Sequence, residues 1–196
     1  MEGIMRKNTL LAIVCSLVLG LAMAPVHAVE EYVIDTEHSF INFRISHLGI
    51  AWVHGRFNTF EGAFRYDADN PGASNVEVTI NTASIDSNHA ERDRHLRSDD
   101  FLDVARFPTA SFVATGLEST GDNTGTLSGE LTLHGVTQPV TIEVEYGGAG
   151  SDPWGGYRRG FEGRTRFALA DFGIDYDLGP AAREVELTLL IEGIRQ

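Results

Sequence analysis

Strict alternation of apolar and polar residues marks this chain as all-β, an antiparallel barrel or sandwich. Three observations carry that expectation. From Glu31 onward the dominant period is two, the period of a strand with one buried face. About eight such stretches follow one another, a number that suits a barrel or a sandwich. The connections between them are short and rich in Gly, Asn, Asp and Pro, as tight antiparallel turns require.

Taken in order, Ile41, Phe43 and Ile45 share one face while Asn42, Arg44 and Ser46 take the other. Phe60, Gly62, Phe64 and Tyr66 alternate with Glu61, Ala63 and Arg65, and Val76, Val78 and Ile80 with Glu77, Thr79 and Asn81. A strand near Ala110–Leu117 includes Phe112. Next, Leu127, Leu131 and Leu133 oppose Ser128, Glu130 and Thr132; Val140, Ile142, Val144 and Tyr146 oppose Thr141, Glu143 and Glu145. Phe161, Thr165, Phe167 and Leu169 then oppose Glu162, Arg164 and Arg166. Val185, Leu187, Leu189 and Ile191 close the series. One-sided alternation argues against a parallel α/β sheet, whose strands are buried on both faces. Turns are expected at 67–72, 121–125 and 135–139. Glycines inside the strand runs (Gly55, Gly62, Gly129, Gly163) mark bends or bulges, and they remove volume from the inward face.

Residues 87–97 break the pattern and read as a short helix. Asn88 is the expected cap, Glu91 stands three residues on, and Asp93 with Arg97 forms an i,i+4 pair. Leu96, Phe101 and Leu102 could turn inward from this segment as a plug.

The N-terminal segment reads as an address. Arg6 and Lys7 precede an apolar run, Leu10–Met23, and Val26-His27-Ala28 resembles a small-residue cleavage site. The run is short for a membrane span, and Cys15 lies inside it, which speaks against a lipid-modified cysteine. The expected organisation is a signal peptide over residues 1–28 and one barrel domain over 29–196, exported to the periplasm with no membrane span after cleavage. Cys15 is the only cysteine, so the mature domain has no disulfide, thiolate metal site or cysteine nucleophile. Its stability must come from a real core.

The net charge is −13, and Lys7 is the only lysine. Such an acidic chain repels nucleic acid and anionic membrane surfaces at long range, so no nucleic-acid partner is expected. Arginine in place of lysine suits a salt-adapted host and an arginine-favouring genome equally well.

No catalytic constellation stands out. His38, His47, His54, His89, His95 and His134 are scattered, without metal-ligand spacing, and read as hydrogen-bonding residues near strand ends. Asp171, Asp175 and Asp177 lack the spacing of an EF-hand loop. There is no Gly-x-Ser-x-Gly elbow, His-Glu-x-x-His or phosphate loop. No cofactor, metal or enzymatic activity is therefore expected. Arg158-Arg159 could grip an anionic head group, but a solvated strand start is the plainer reading. The apolar strand faces either pack on themselves as a core or line a lumen, and pattern alone leaves both open.

Several stretches, in this order and spacing, carry a resemblance: 32–39 (YVIDTEHS), 40–44 with His47, 53–62 (VHGRFNTFEG), 84–86, 92–103 (RDRHLRSDDFLD), 107–112 (FPTASF), 129–137 (GELTLHGVT), 171–174 (DFGI) and 185–189 (VELTL). The chain resembles the YceI-like family of periplasmic lipid-binding proteins across most of its mature length. That resemblance implies an eight-stranded, lipocalin-like antiparallel barrel with one short helix. It also implies a non-enzymatic carrier of a long apolar lipid, such as a polyisoprenoid, an isoprenoid quinone or a fatty amide. On the apolar strand faces and the plug segment, the lumen candidates are Ile41, Phe43, Ile45, Phe64, Val78, Ile80, Leu96, Phe101, Phe112, Leu131, Leu133, Val144, Phe167, Leu187 and Leu189. A homodimer stays open. Where the family commonly has a basic residue before Asp-Phe-Gly, this chain has Ala170, so any such role is lost or passes to Arg166 or another arginine. Two rival readings remain: a lipid-modifying enzyme using lumen histidines, and a stress-related interaction protein with a filled barrel.

Overall fold

The computed structural model describes residues 29–196; the expected leader and its cleavage site lie outside them. The strands are β1 (Glu30–Ile34), β2 (Phe40–His47), β3 (Ala51–Phe57), β4 (Phe60–Tyr66), β5 (Asn75–Asn81) and β6 (Ile85–Asp86). After α1 (Ala90–Leu96) come β7 (Thr109–Ser119), β8 (Thr124–Leu133), β9 (Val136–Ser151), β10 (Tyr157–Ala168) and β11 (Glu184–Arg195). Every pairing is antiparallel. The ring β1-β4-β5-β7-β8-β9-β10-β11 closes on itself through β1–β11, an eight-stranded barrel. Full closure removes exposed sheet edges from that ring.

The remaining strands extend the barrel along its axis. β1 and β2 run in sequence along the same edge of β11, β1 against Gly193–Arg195 and β2 against Val185–Leu190. β4 and β3 follow β1 and β2 in turn, and β5 and β6 follow β4 and β3. Three of the eight staves are thus each broken in two at one level, at 35–39, 58–59 and 82–84. The backbone freed by these breaks finds other partners. Asp35 N–H donates to the Glu192 carbonyl (2.8 Å), Asn58 N–H to Ser84 (3.1 Å) and Thr82 N–H to Pro108 (3.0 Å), while Thr82 Oγ1 donates to the Phe107 carbonyl (2.7 Å).

Below that level β6 is the last strand of the sheet, and α1 with residues 98–107 fills the seam beside it. Arg97 fastens the seam by donating to the carbonyls of Ala83 (2.8 Å) and Ile85 (2.5 Å). The helix departs from expectation at its start. His89, not Asn88, is the cap, its Nδ1 accepting from Arg92 N–H at 3.3 Å, because Asn88 takes a left-handed φ of 63°. Asp93 does not pair with Arg97. It is buried and accepts from the backbone N–H and hydroxyl of Ser87 (2.8 and 2.5 Å), a buried carboxylate needing donors more than a surface partner.

Two further expectations change. The connection anticipated over 135–139 is a two-residue hairpin at His134-Gly135, with φ of 52° and 74°, and Pro139 lies within β9 opposite Glu130. The strand glycines do not leave empty space. A Cβ on Gly55 would meet the Phe43 ring at 2.3 Å, on Gly129 the Phe112 ring at 2.3 Å, and on Gly62 the Glu77 carbonyl oxygen at 2.5 Å. Gly55 and Gly129 let the rings of Phe43 and Phe112 lie close against the wall. No helix among the described residues is long and apolar enough to cross a membrane.

Candidate functional site

Inward faces of the strands enclose two apolar cavities stacked along the axis. The upper one, inside the closed ring, has a volume of about 140 Å³ and is lined by residues such as Phe64, Val78, Phe112, Val144 and Leu189. The lower one, of about 130 Å³, lies within the extension beside α1 and is lined by residues such as Phe43, Ile45, Leu96, Phe101, Leu133 and Phe167. Ile41, Ile80, Leu131 and Leu187 line both and form a waist between them. An apolar cavity of about 150 Å³ stays dry and accepts a benzene-sized guest, so each compartment is large enough to hold part of an apolar molecule.

Every lumen residue named from the sequence lines one or both cavities. Period-two reading also puts Val76, Leu127, Val140, Ile142, Phe161, Val185 and Ile191 inward, and these line the cavities as well. Ile34, Ser74, Phe57, Ile174 and Leu178 also line the walls, and no periodic signal marks them, since they lie at strand ends or in the irregular segment after β10.

The two ends of the tunnel differ. At the upper end Arg159 shares the inward face of β10 with Phe161, and only 11% of its side chain is exposed. Its Nη2 donates to Glu30 Oε2 (2.9 Å) and its Nε to the Tyr32 hydroxyl (3.1 Å), while the guanidinium lies 4.0 Å from the Tyr66 ring centroid and 5.5 Å from that of Tyr146. Burial pushes the Glu30 carboxyl up, but the hydrogen bonds from Tyr32, Arg195 and Arg159 outweigh it and hold it below the ordinary carboxylate range. Beside this cluster a vestibule of about 190 Å³ shares Tyr66, Leu117, Val144 and Phe161 with the upper cavity, and adds Ser119, Asp122, Asn123 and Thr124 from the β7–β8 turn. At the lower end Phe101 lines the cavity and is backed by the rings of His95 and Tyr176, the three centroids lying 4.9–5.1 Å apart.

Arg158, on the opposite face of β10, is not solvated either. It bridges Asp35 (2.5 Å), Glu192 (2.5 Å) and Asp152 (2.9 Å) at the break between β1 and β2. Burial raises the Asp35 pKa, but donors from Arg158, His38 and the Glu37 backbone overcome that and hold it at about 2. The Asp35 hydrogen bond raises the pKa of His38. Asp35, His38 and Glu192 bring potential metal ligands within 4.8 Å of one another, but Arg158 Nη1 already sits on both carboxylates. Arg166 faces outward toward Glu184 at 3.5 Å with 61% of its side chain exposed, so it does not supply an inward charge in place of Ala170. No histidine lines either cavity.

Comparison with known proteins matches this architecture. A UPF0312 protein of Azotobacter vinelandii is 54% identical over 98% of this chain and all of its own length, and one of Pseudomonas aeruginosa is 55% identical over the same shares. Among solved structures, a YceI protein of Campylobacter jejuni superposes with a TM-score of 0.70 at 25% identity, covering 78% of this chain and 90% of its own. BcnA of Burkholderia cenocepacia gives 0.72 at 21% identity, covering 81% and 98%. A polyisoprenoid-binding domain of Saccharophagus degradans gives 0.65 at 16% identity, covering 84% and 98%. The pattern of the YceI-like domain matches residues 32–193, from the first stave of the ring to its last, and the chain belongs to the YceI-like family.

Proposed function

We propose that this protein holds one long apolar molecule, a polyisoprenoid, isoprenoid quinone or fatty amide, along the barrel axis, and does no chemistry on it. The observation that carries this reading is the waist: four residues line both cavities, so the two apolar compartments abut along the axis and one chain laid past those side chains would occupy both. Burial alone supplies the affinity, because each CH₂ taken out of water contributes roughly 0.8 kcal/mol, and a few isoprene units suffice without a polar contact. The polyisoprenoid-binding domain of Saccharophagus degradans, with the same fold, supports the reading. The absence of histidines from the cavity walls weighs against an enzyme that works through them. The leader-like residues 1–28 support export to the periplasm, where a carrier would keep such a lipid out of water, as in a stress response.

A native mass spectrum of gently purified protein tests this directly. Added mass equal to one long-chain lipid per barrel, retained in excess chelator, is the expected result. Protein without added mass that also fails to take up offered polyprenol would return the barrel to an ordinary core.

A further inference from the structure

The wall of the upper cavity includes a residue whose hydroxyl the protein itself does not satisfy and which lies covered just behind the apolar surface. Ser74 follows the short Pro71–Ala73 turn and has extended backbone, so it shares the inward side with Val76, Val78 and Ile80 of β5. It lines the upper cavity and is 9% exposed. Its backbone N–H donates to the Pro71 carbonyl at 3.0 Å, but its hydroxyl has no hydrogen-bond partner. A serine near a turn usually satisfies its hydroxyl on neighbouring backbone, and a buried orphan is the exception that calls for a partner. Thr165, also on this wall, follows the rule by donating to the Thr141 carbonyl at 2.7 Å.

We propose that Ser74 Oγ, turned about χ1 into the cavity when a chain is bound, docks a neutral oxygen, a hydroxyl or carbonyl, at the polar end of that chain, and so fixes the direction in which the chain lies. This deepens the lipid-holding reading and rests on it. Position supports the direction. Tyr66 and Leu117, on the wall with Ser74, also line the vestibule, whose polar rim continues outward from that level. The lower cavity is lined entirely by apolar residues and offers a polar end nothing. The tail therefore runs down through the waist toward α1. Charge supports the neutrality of the head. Arg65, the one charged residue on the upper wall, has 58% of its side chain exposed and pairs with Glu31 at 3.3 Å. Arg159 is already taken up by Glu30, Tyr32 and the Tyr66 ring. Neither is free to neutralise a phosphate inside the tunnel.

The test uses protein stripped of lipid, with displacement of 1-N-phenylnaphthylamine as readout and three probes of one chain length. These are geranylgeraniol, the hydrocarbon of the same chain without its hydroxyl, and geranylgeranyl diphosphate. Ser74→Ala should weaken geranylgeraniol about fivefold, the worth of a hydrogen bond, and leave the hydrocarbon unchanged. Ser74→Thr, which keeps the hydroxyl, should retain the preference for the alcohol over the hydrocarbon. The diphosphate should bind wild-type protein more weakly than the alcohol. Equal effects of Ser74→Ala on alcohol and hydrocarbon, or no effect on either, would overturn the Ser74 assignment while leaving the tunnel intact. Tighter binding of the diphosphate than of the alcohol would overturn the neutral head. If none of the three displaces the dye from wild-type protein, the lipid-holding reading falls and this inference with it.

Discussion

Phe64 lies across the bare backbone of Gly193, so that a Cβ at position 193 would sit 2.4 Å from its Cε1 and 2.5 Å from its Cζ. The ring is held there by stacking on Tyr32 (centroids 4.7 Å apart, planes 11° apart) and by the edge contact with Phe161 (5.6 Å). Phe43 over Gly55 and Phe112 over Gly129 repeat the arrangement on other staves. Each ring is pressed to the wall instead of standing across the axis, which keeps a barrel rich in phenylalanine from filling itself.

Gly193→Ala should accordingly destabilise the fold by about 1–3 kcal/mol, the usual cost of overpacking. Adding Phe64→Leu should recover part of that loss, because the smaller side chain vacates the position the methyl needs. Urea denaturation of the two single variants and the double variant gives the coupling. Strictly additive effects would mean that the ring and the glycine do not share that space.

At the waist, Leu131→Trp should act on chain length. The indole would stand where the two cavities share their lining. A long polyprenol that must pass through it should lose at least about tenfold in affinity, a cost of roughly 1.4 kcal/mol, while farnesol, short enough for one compartment, should bind nearly as before. Overpacking should cost stability as well, by about 1–3 kcal/mol. Equal loss for both lengths would show that the compartments do not act as one path.

Acid should reveal Asp35. Its carboxyl titrates at about 2 in the fold against an ordinary value of 3.8, a depressed pKa. The stability it contributes is therefore complete above 3.8 and is lost as pH falls through about 2. His38 has the opposite sign: its raised pKa adds stability that is full below 6.5 and fades as pH rises past its folded value. Between pH 4 and pH 2 the melting temperature of wild-type protein should fall more steeply than that of Asp35→Asn. Parallel curves would remove Asp35 from the account of acid stability.

Export should leave Val29 as the first residue. N-terminal sequencing of the protein recovered from its own cells checks it, and an intact Met1 on membrane-bound material would contradict the leader reading.

How much of this was legible beforehand follows from what period two can and cannot report. Alternation located the inward faces of β2, β4, β5 and β8 to β11, because each strand must bury one side. It did not locate β1, β3 and β6 as separate strands, since the breaks at 35–39, 58–59 and 82–84 depend on partners far away in sequence, such as Glu192 and Pro108. It misjudged the glycines, whose missing side chains are replaced by the rings of Phe43 and Phe112 at Gly55 and Gly129 and by backbone or aliphatic groups at Gly62 and Gly163. Arg158 and Arg159 looked alike in sequence; only the pairing of β10 sends one outward to three carboxylates and the other inward among tyrosines. Ser74 carried no signal at all, because an unsatisfied hydroxyl is a property of surroundings.

The seam beside β6 gives the wall two grades of stiffness. Around the ring, opening any stave breaks ladder hydrogen bonds on both of its sides. The α1 segment is held instead by a few side-chain bonds, Arg97 to Ala83 and Ile85 and Asp93 to Ser87, and by apolar contact. Amides of α1 should therefore exchange with solvent through local opening well before those of β8 and β9, whose exchange reports global unfolding. The barrel is a rigid sleeve closed at one side by a short, separately hung panel, and that panel lies against the compartment farthest from Ser74.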